Sequence, residues 1–439
     1  MDLTPKQIVS FLDDYVIGQK KAKKIIAIAL RNRHRRMQLD KAMQDDIVPK
    51  NILMIGSTGV GKTEIARRLA KMMGLPFIKV EASKYTEVGF VGRDVESMVR
   101  DLANAALDLV KKQELEKNED KVNDYIEEKI LSKLMPPLPK GVSDEKQAEW
   151  ENSKAKMRER LRRGDLDESI IEIEVEQSGL ENSPNLPPEL ESMQEMVKVI
   201  GISTKKVKKE VSVKNAKTLL KNEASSSVLN MDNLKQLALE KAQNSGIIFI
   251  DEIDKIAVSS QSSSRQDPSK EGVQRDLLPI VEGSNVNTKI GMLKTDHILF
   301  IAAGAFHLSK PSDLIPELQG RLPLRVELDS LGANELYEIL TKPKNSLLKQ
   351  YQALLQTEGV ELIFSDDAIK RIAELAADAN ENVEDIGARR LHTIIEKLLE
   401  DISFDADEYK GQKYEVTKEL VDEKLEKIVA DKDIAKYIL

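Results

Sequence analysis

Residues 51–63 read Asn51-Ile52-Leu53-Met54-Ile55-Gly56-Ser57-Thr58-Gly59-Val60-Gly61-Lys62-Thr63. The first half is a short apolar run ended by glycine, the pattern of a buried strand in a parallel sheet. The second half, Gly56 to Thr63, matches GxxxxGK[ST]. A helix follows from Thr63 to Met73 with Ile65, Ala66, Leu69 and Ala70 on one face, and Gly74 and Pro76 stop it. Strand, glycine-rich loop and helix in that order make a phosphate-binding loop. Glycines let backbone N–H groups turn inward onto an anion, and the helix N-terminus adds a favourable dipole. In this arrangement Lys62 can reach the β- and γ-phosphates of a nucleotide, and the Thr63 hydroxyl can ligate Mg²⁺.

Four further candidate strands extend the pattern: Phe77-Ile78-Lys79-Val80, Ile247-Ile248-Phe249-Ile250, Ile298 to Ala302, and Leu324 to Leu328. Strands separated by helical stretches imply an α/β fold with a parallel five-stranded sheet. The third strand runs into Asp251-Glu252-Ile253-Asp254. Its two leading carboxylates therefore fall at the carboxyl edge of the sheet, where ligands bind in open α/β folds. Asp251 is the candidate to hold Mg²⁺. Glu252, next along the strand, is the candidate to polarise an attacking water.

The second and third strands lie about 165 residues apart, against the ~30 or slightly more that one βαβ unit needs. The excess is assigned to an insertion over residues 109–243, in which 50 of 135 residues are charged and the only aromatics are Tyr125 and Trp150. Extended helices and a small sheet are expected there. Ile171-Glu172-Ile173-Glu174-Val175-Glu176 alternates like a strand with one face buried. Pro136, Pro137 and Pro139, then Pro184, Pro187 and Pro188, mark loops, and Ser259 to Ser264 another. The nucleotide-binding domain is thus discontinuous, residues 1–108 and 244–329. From 330 to 439 helical spacing dominates (Ile369, Ile372, Leu375, Ala376; Leu391, Ile394, Ile395, Leu398, Ile402) and predicts a small, mainly helical C-terminal domain.

Composition narrows the function. Hydrophobic residues are 41%, enough for real cores, while aromatics are only 4%. Lys and Arg number 67 and Asp and Glu 75, a net charge of −8, which speaks against a surface built to grip nucleic acid. One basic cluster, Arg31, Arg33, Arg35 and Arg36, lies on a helix predicted from Ala22 to Met37. It can be read as a phosphate contact or, by the usual behaviour of charge runs, as a solvated face. The absence of cysteine excludes disulfides and thiol catalysis and fits a reducing, cytoplasmic location. Met1 to Asp14 is mixed polar and does not read as a signal peptide, and no apolar run approaches a membrane-spanning length. Four dispersed histidines without HExxH argue against a zinc hydrolase. No GxSxG is present, and no protease site is expected.

The phosphate-binding loop, the apolar strand into Asp-Glu and the helical C-terminal region together resemble the AAA+ ATPases. Further segments are similar to one branch, the HslU (ClpY) family of unfoldases that work with the HslV peptidase. They are Tyr15-Val16-Ile17-Gly18-Gln19, Thr86 to Gly92, Glu271 to Pro279, Ser312 to Arg321, Ile386 to His392, and the ending Tyr437-Ile438-Leu439. The resemblance implies an ATP-driven, ring-forming protein unfoldase, a hexamer, with ATP and Mg²⁺ as cofactors. Ile17 would line the adenine pocket, and Gly59, Val60, Gly61, Lys62, Thr63 and Glu64 would wrap the phosphates. Thr63 and Asp251 would hold the metal. Glu317 would belong to the interface-side nucleotide site, Arg321 would be an arginine finger offered to the neighbouring subunit, and Arg389 a sensor of nucleotide state. Phe90 and Val91 would grip protein substrates in the central pore. Tyr437, Ile438 and Leu439 would dock into the HslV-like peptidase. Without the resemblance, Arg321 and Arg389 read as ordinary surface ion pairs, and the tail as buried within its own domain. Two departures stand out. The family's pore loop is usually Gly-Tyr-Val-Gly, and here it is Gly89-Phe90-Val91-Gly92. Ala302-Ala303-Gly304-Ala305 follows the fourth strand where many AAA+ proteins place a polar sensor, so no sensor 1 side chain is named. The competing use of such an engine is a nucleic-acid motor, with the arginine cluster as its support.

Overall fold

The computed structural model describes residues 3–86, 92–135, 137, 143–176, 206–258 and 268–430. The pore-loop residues Phe90 and Val91, the loop from Ser259 to Ser264, the prolines at 136, 139, 184, 187 and 188, and the tail residues Tyr437, Ile438 and Leu439 lie outside them. Five strands form the main sheet: β1 (Ile52–Ile55), β2 (Phe77–Glu81), β3 (Ile247–Asp251), β4 (Leu299–Gly304) and β5 (Leu324–Glu327). Their order is β2-β3-β4-β1-β5 and every pairing is parallel. β3 and β4 are buried along almost their whole length, because helices cover both faces of a parallel sheet. The register sets Glu81 beside Asp251 and Met54 between Ala303 and Val326. All carboxyl ends therefore point to one edge.

The helices arise where their spacing and caps predict. Thr4 caps Pro5–Asp13, with Gln7 completing a reciprocal capping box. Helix Lys62–Met73 starts at Gly61, ends on left-handed Gly74, and buries Ile65, Ala66, Leu69 and Ala70. From Ala333 to Ala430 the chain is mainly helical. It also contains two short strands, Glu361–Phe364 and Lys413–Val416, that pair in parallel and had no strand signal longer than four residues. The run from Leu391 to Ile402 is divided between helices Arg389–Leu398 and Glu400–Phe404. Among the described residues no helix is long and apolar enough to cross a membrane.

The described chain divides into two compact units, Met1–Leu109 with Lys235–Leu439, and Val110–Leu234. The second has its own aliphatic core, including Val122, Ile126, Ile130, Leu161 and Leu220. Its strands Ile170–Glu176 and Lys206–Ser212 pair antiparallel. The alternation read from sequence is visible in Ile171 and Ile173, which are buried, while Glu172 faces out to an ion pair with Lys208 at 2.7 Å.

The arginine cluster corrects an expectation. Helix Lys20–Arg36 does not present it as a solvated face, since Arg33 and Arg36 are buried. One Arg33 nitrogen donates to the carbonyls of Asn244 (3.0 Å) and His297 (2.7 Å), and Arg36 Nε donates to the Gln44 carbonyl at 2.6 Å. Burial, with Arg36 adjacent, pushes the Arg33 pKa down to about 9, so it stays charged at neutral pH. Several guanidinium donors on one flexible stem suit the collection of loop carbonyls from separate elements. Arg33→Ala should lower stability by about 1–3 kcal/mol by removing the donor from two carbonyls. The exposed Arg35→Ala should change it by less than about 0.5 kcal/mol. Equal urea midpoints for the two variants would contradict this.

Candidate nucleotide site

The glycine-rich loop leaves the carboxyl end of β1 and closes on the helix that begins at Lys62. Gly59 has φ +78°, and a Cβ there would stand 2.1 Å from the Ile386 carbonyl oxygen. Gly387, at φ +58°, meets the loop from the other side, 2.6 Å from the Thr58 oxygen by the same measure. The Ala388 N–H donates to the Gly59 carbonyl at 3.3 Å. Only residues without side chains allow two backbones to approach in this way. The turn before helix Arg389–Leu398 is thus seated directly on the loop, which brings Arg389 to the site.

Lys62 is buried. Its ammonium turns back to the carbonyls of Gly56 and Ser57, the latter at 2.8 Å. Its pKa is lowered, first by burial. Arg389 pushes it the same way, while Asp251, Asp254 and Asp385 oppose. Lys62, Asp251 and Arg389 therefore share one field. Thr63 Oγ1 donates to Asp251 Oδ2 at 3.3 Å, so hydroxyl and carboxylate converge as two hard oxygen donors. Glu64, in the first helical turn, is held by Arg68 at 2.5 Å.

Glu252 does not continue the strand. It turns out of it at φ +55°, a left-handed conformation rare for non-glycine residues and often found at functional sites. The turn frees its carboxylate from the sheet, and Ser83 Oγ donates to it at 3.4 Å. Ile17 is nearly buried in the segment between the first two helices. That segment touches the loop, where Val16 Cγ1 lies 3.4 Å from the position a Cβ on Gly61 would take.

Two candidates are not gathered here. Glu317 and Arg321 belong to helix Pro316–Arg321, whose last carbonyl accepts from Asn51 Nδ2 at 3.1 Å. Asn51 precedes β1, so Arg321 sits at the amino end of the strand whose carboxyl end carries the glycine-rich loop. Its guanidinium pairs with Glu282 at 2.9 Å, an exposed ion pair. Sequence reading also missed two site residues. Lys79 Nζ lies 2.8 Å from Asp251 Oδ2, and its signal was a single lysine inside the apolar run of β2. Asp254, whose charge reaches Lys62, accepts from the Phe306 N–H at 3.3 Å.

The sheet order, the glycine-rich loop, the acidic strand end and the helical region seated on the loop define a AAA+ P-loop ATPase. Comparison with known proteins agrees. Residues 52–139 match the ATPase family associated with various cellular activities (AAA). Residues 169–325 match the AAA domain (Cdc48 subfamily), and residues 331–406 the C-terminal, D2-small domain of ClpB protein. The ATP-dependent protease ATPase subunit HslU of Campylobacter jejuni subsp. jejuni serotype O:2 is 74% identical over 439 residues, covering all of both chains. The subunit of the same name from Helicobacter pylori strain G27 is 64% identical, covering all of this chain and 99% of its own. The chain belongs to the HslU family of AAA+ ATPases.

Proposed function

We propose that this ATPase assembles as a hexameric ring in the cytoplasm, unfolds protein substrates and delivers them to an HslV-like peptidase. The observation that carries the ring is the position of Arg321. Within one chain it lies at the far end of β1 from its own glycine-rich loop, and a resting ion pair with Glu282 holds it. A finger so placed serves a neighbour's nucleotide, not its own. The peptidase partner rests on the relatives, which are named as ATPase subunits of an ATP-dependent protease.

In this reading Ile17 meets the base and Gly59 to Glu64 enclose the phosphates. Lys62 exchanges its loop carbonyls for phosphate oxygens. Thr63 and Asp251 suit Mg²⁺, and the Lys79 ammonium beside Asp251 already marks that carboxylate as a cation's neighbour. When bound, Mg²⁺ supplies positive charge to the phosphate oxygens. Glu252 takes the proton of the attacking water, and Lys62 with the neighbour's Arg321 stabilises the charge that develops. Glu317 stands on the same interface helix as Arg321. Arg389, carried on the turn that touches Gly59, passes the nucleotide's state to the helical region. Phe90 and Val91 grip the substrate in the pore, where phenylalanine keeps the apolar ring of the usual tyrosine.

The direct test is ATP hydrolysis by the chain alone, with casein, and with an HslV-type peptidase. Stimulation by both supports the reading, and indifference to both contradicts it. The coupling element is the tail. Deleting Lys436 to Leu439 should spare folding and basal hydrolysis and abolish peptidase stimulation, because Tyr437, Ile438 and Leu439 supply apolar anchors. A truncated chain that melts markedly lower, or that still activates the peptidase fully, would assign the tail to its own domain.

A further inference from the structure

In the segment from Tyr15 to Gln19 only Ile17 has a role so far. Gln19 is 5% exposed, and its backbone is left-handed, φ +53°. Its carboxamide exchanges two hydrogen bonds with the backbone of one residue 310 positions later. Nε2 donates to the Asp329 carbonyl at 2.8 Å, and Oε1 accepts from the Asp329 N–H at 3.0 Å. One side chain thus supplies both bonds that a neighbouring strand would give. Asp329 stands two residues beyond β5, where the chain leaves the sheet for the helices that begin at Ala333.

The contacts around this pair close a ring. The Leu328 N–H donates to the Ile55 carbonyl at 2.8 Å, and Leu328 Cβ lies 3.0 Å from where a Cβ on Gly56 would stand. Val16 reaches the loop's other end at Gly61, as described above. Gln19 joins the two sides. It ties the segment that carries Ile17 to the chain lying against the start of the glycine-rich loop.

We propose that Gln19 is a positioning residue for the nucleotide's base. The proposal rests on the nucleotide-site reading. A left-handed glutamine persists only where its surroundings hold it. Here the hold is a two-bond pairing from a buried glutamine to the exposed residue Asp329, and its loss leaves both Asp329 backbone groups without that partner. The glycine-rich loop is secured independently by β1 and by helix Lys62–Met73. Releasing Gln19 therefore lets Ile17 drift while the phosphate cradle stays formed. The loss should fall on the adenosine part of a ligand and spare the polyphosphate part.

The test is calorimetric titration of the full chain with ADP and with inorganic tripolyphosphate, in parent and variants. Gln19→Ala should weaken ADP by about tenfold, the equivalent of one to two net hydrogen bonds, and leave tripolyphosphate unchanged. Gln19→Glu keeps the size and the acceptor for the Asp329 N–H, and it should fall between parent and alanine. It carries the same comparison if Gln19→Ala fails to fold. Equal weakening of both ligands, or no weakening of ADP, overturns the proposal. The nucleotide-site reading fails separately if Lys62→Ala leaves both ligands bound as in the parent, and the proposal then falls with it.

Discussion

Arg321→Ala is expected to cut ATP turnover by about 10³–10⁵, the range arginine fingers contribute where a neighbour supplies them. ADP affinity should stay near that of the parent, because the side chain does not approach its own glycine-rich loop. The Asn51 bond fixes Arg321 at the amino end of β1, and a strand of four residues puts about 13 Å between that end and the loop. The guanidinium's partner, Glu282, is exposed, and such pairs are worth only about 0–1 kcal/mol. Exchanging it for a neighbour's phosphate therefore costs little. Mixing Arg321→Ala chains with Glu252→Gln chains should restore some activity, since mixed interfaces combine an intact finger with an intact base. Mixed rings that form and show no rescue at any ratio would argue that Arg321 acts only within its own chain.

Glu252→Gln is expected to lower turnover by about 10²–10⁴, the usual contribution of a positioned general base. Nucleotide binding and ring assembly should persist, because Lys62, Thr63 and Asp251 are untouched. Glutamine keeps the size of the side chain and can take the same outward turn at φ +55°. Lys62→Ala makes the informative contrast, since it should weaken binding itself by removing the one ammonium buried in the loop. Hydrolysis by Glu252→Gln near the parent rate would remove Glu252 from the chemistry.

The fold was legible where the signal was local and periodic. The five strands, the helix after Lys62 and the acidic end of β3 could be read because each shows its pattern within a short stretch of sequence. The short strands at Glu361 and Lys413 escaped because they lie within a region dominated by helical spacing, and their pairing joins positions about fifty residues apart. The arginine cluster misled for a related reason. Its spacing describes a charged helix face, yet whether Arg33 meets water or the carbonyls of Asn244 and His297 depends on elements more than two hundred residues away. Asp251 and Glu252 were recognisable by residue type at a strand end, but the left-handed turn that frees Glu252 was not. Lys79 had no motif of its own, and Gln19, though it ends the Tyr15 to Gln19 segment, had no role assigned within it. Each acts through one long-range contact, with Asp251 and with Asp329, that only the folded chain displays. The seating of Gly387 on Gly59 follows the same logic, because each glycine lay in a recognised segment but their contact shows only once the backbones meet.

Degradation of a stably folded, tagged reporter protein decides whether this ATPase is an ATP-driven unfoldase serving a separate peptidase. The chain and an HslV-type peptidase are incubated with ATP and Mg²⁺, and the loss of reporter fluorescence is followed. Degradation is expected only when chain, peptidase and hydrolysable ATP are all present, and none when Glu252→Gln replaces the parent chain. Degradation that proceeds without hydrolysis, or a reporter left intact by the complete mixture while ATP is consumed, would contradict this reading.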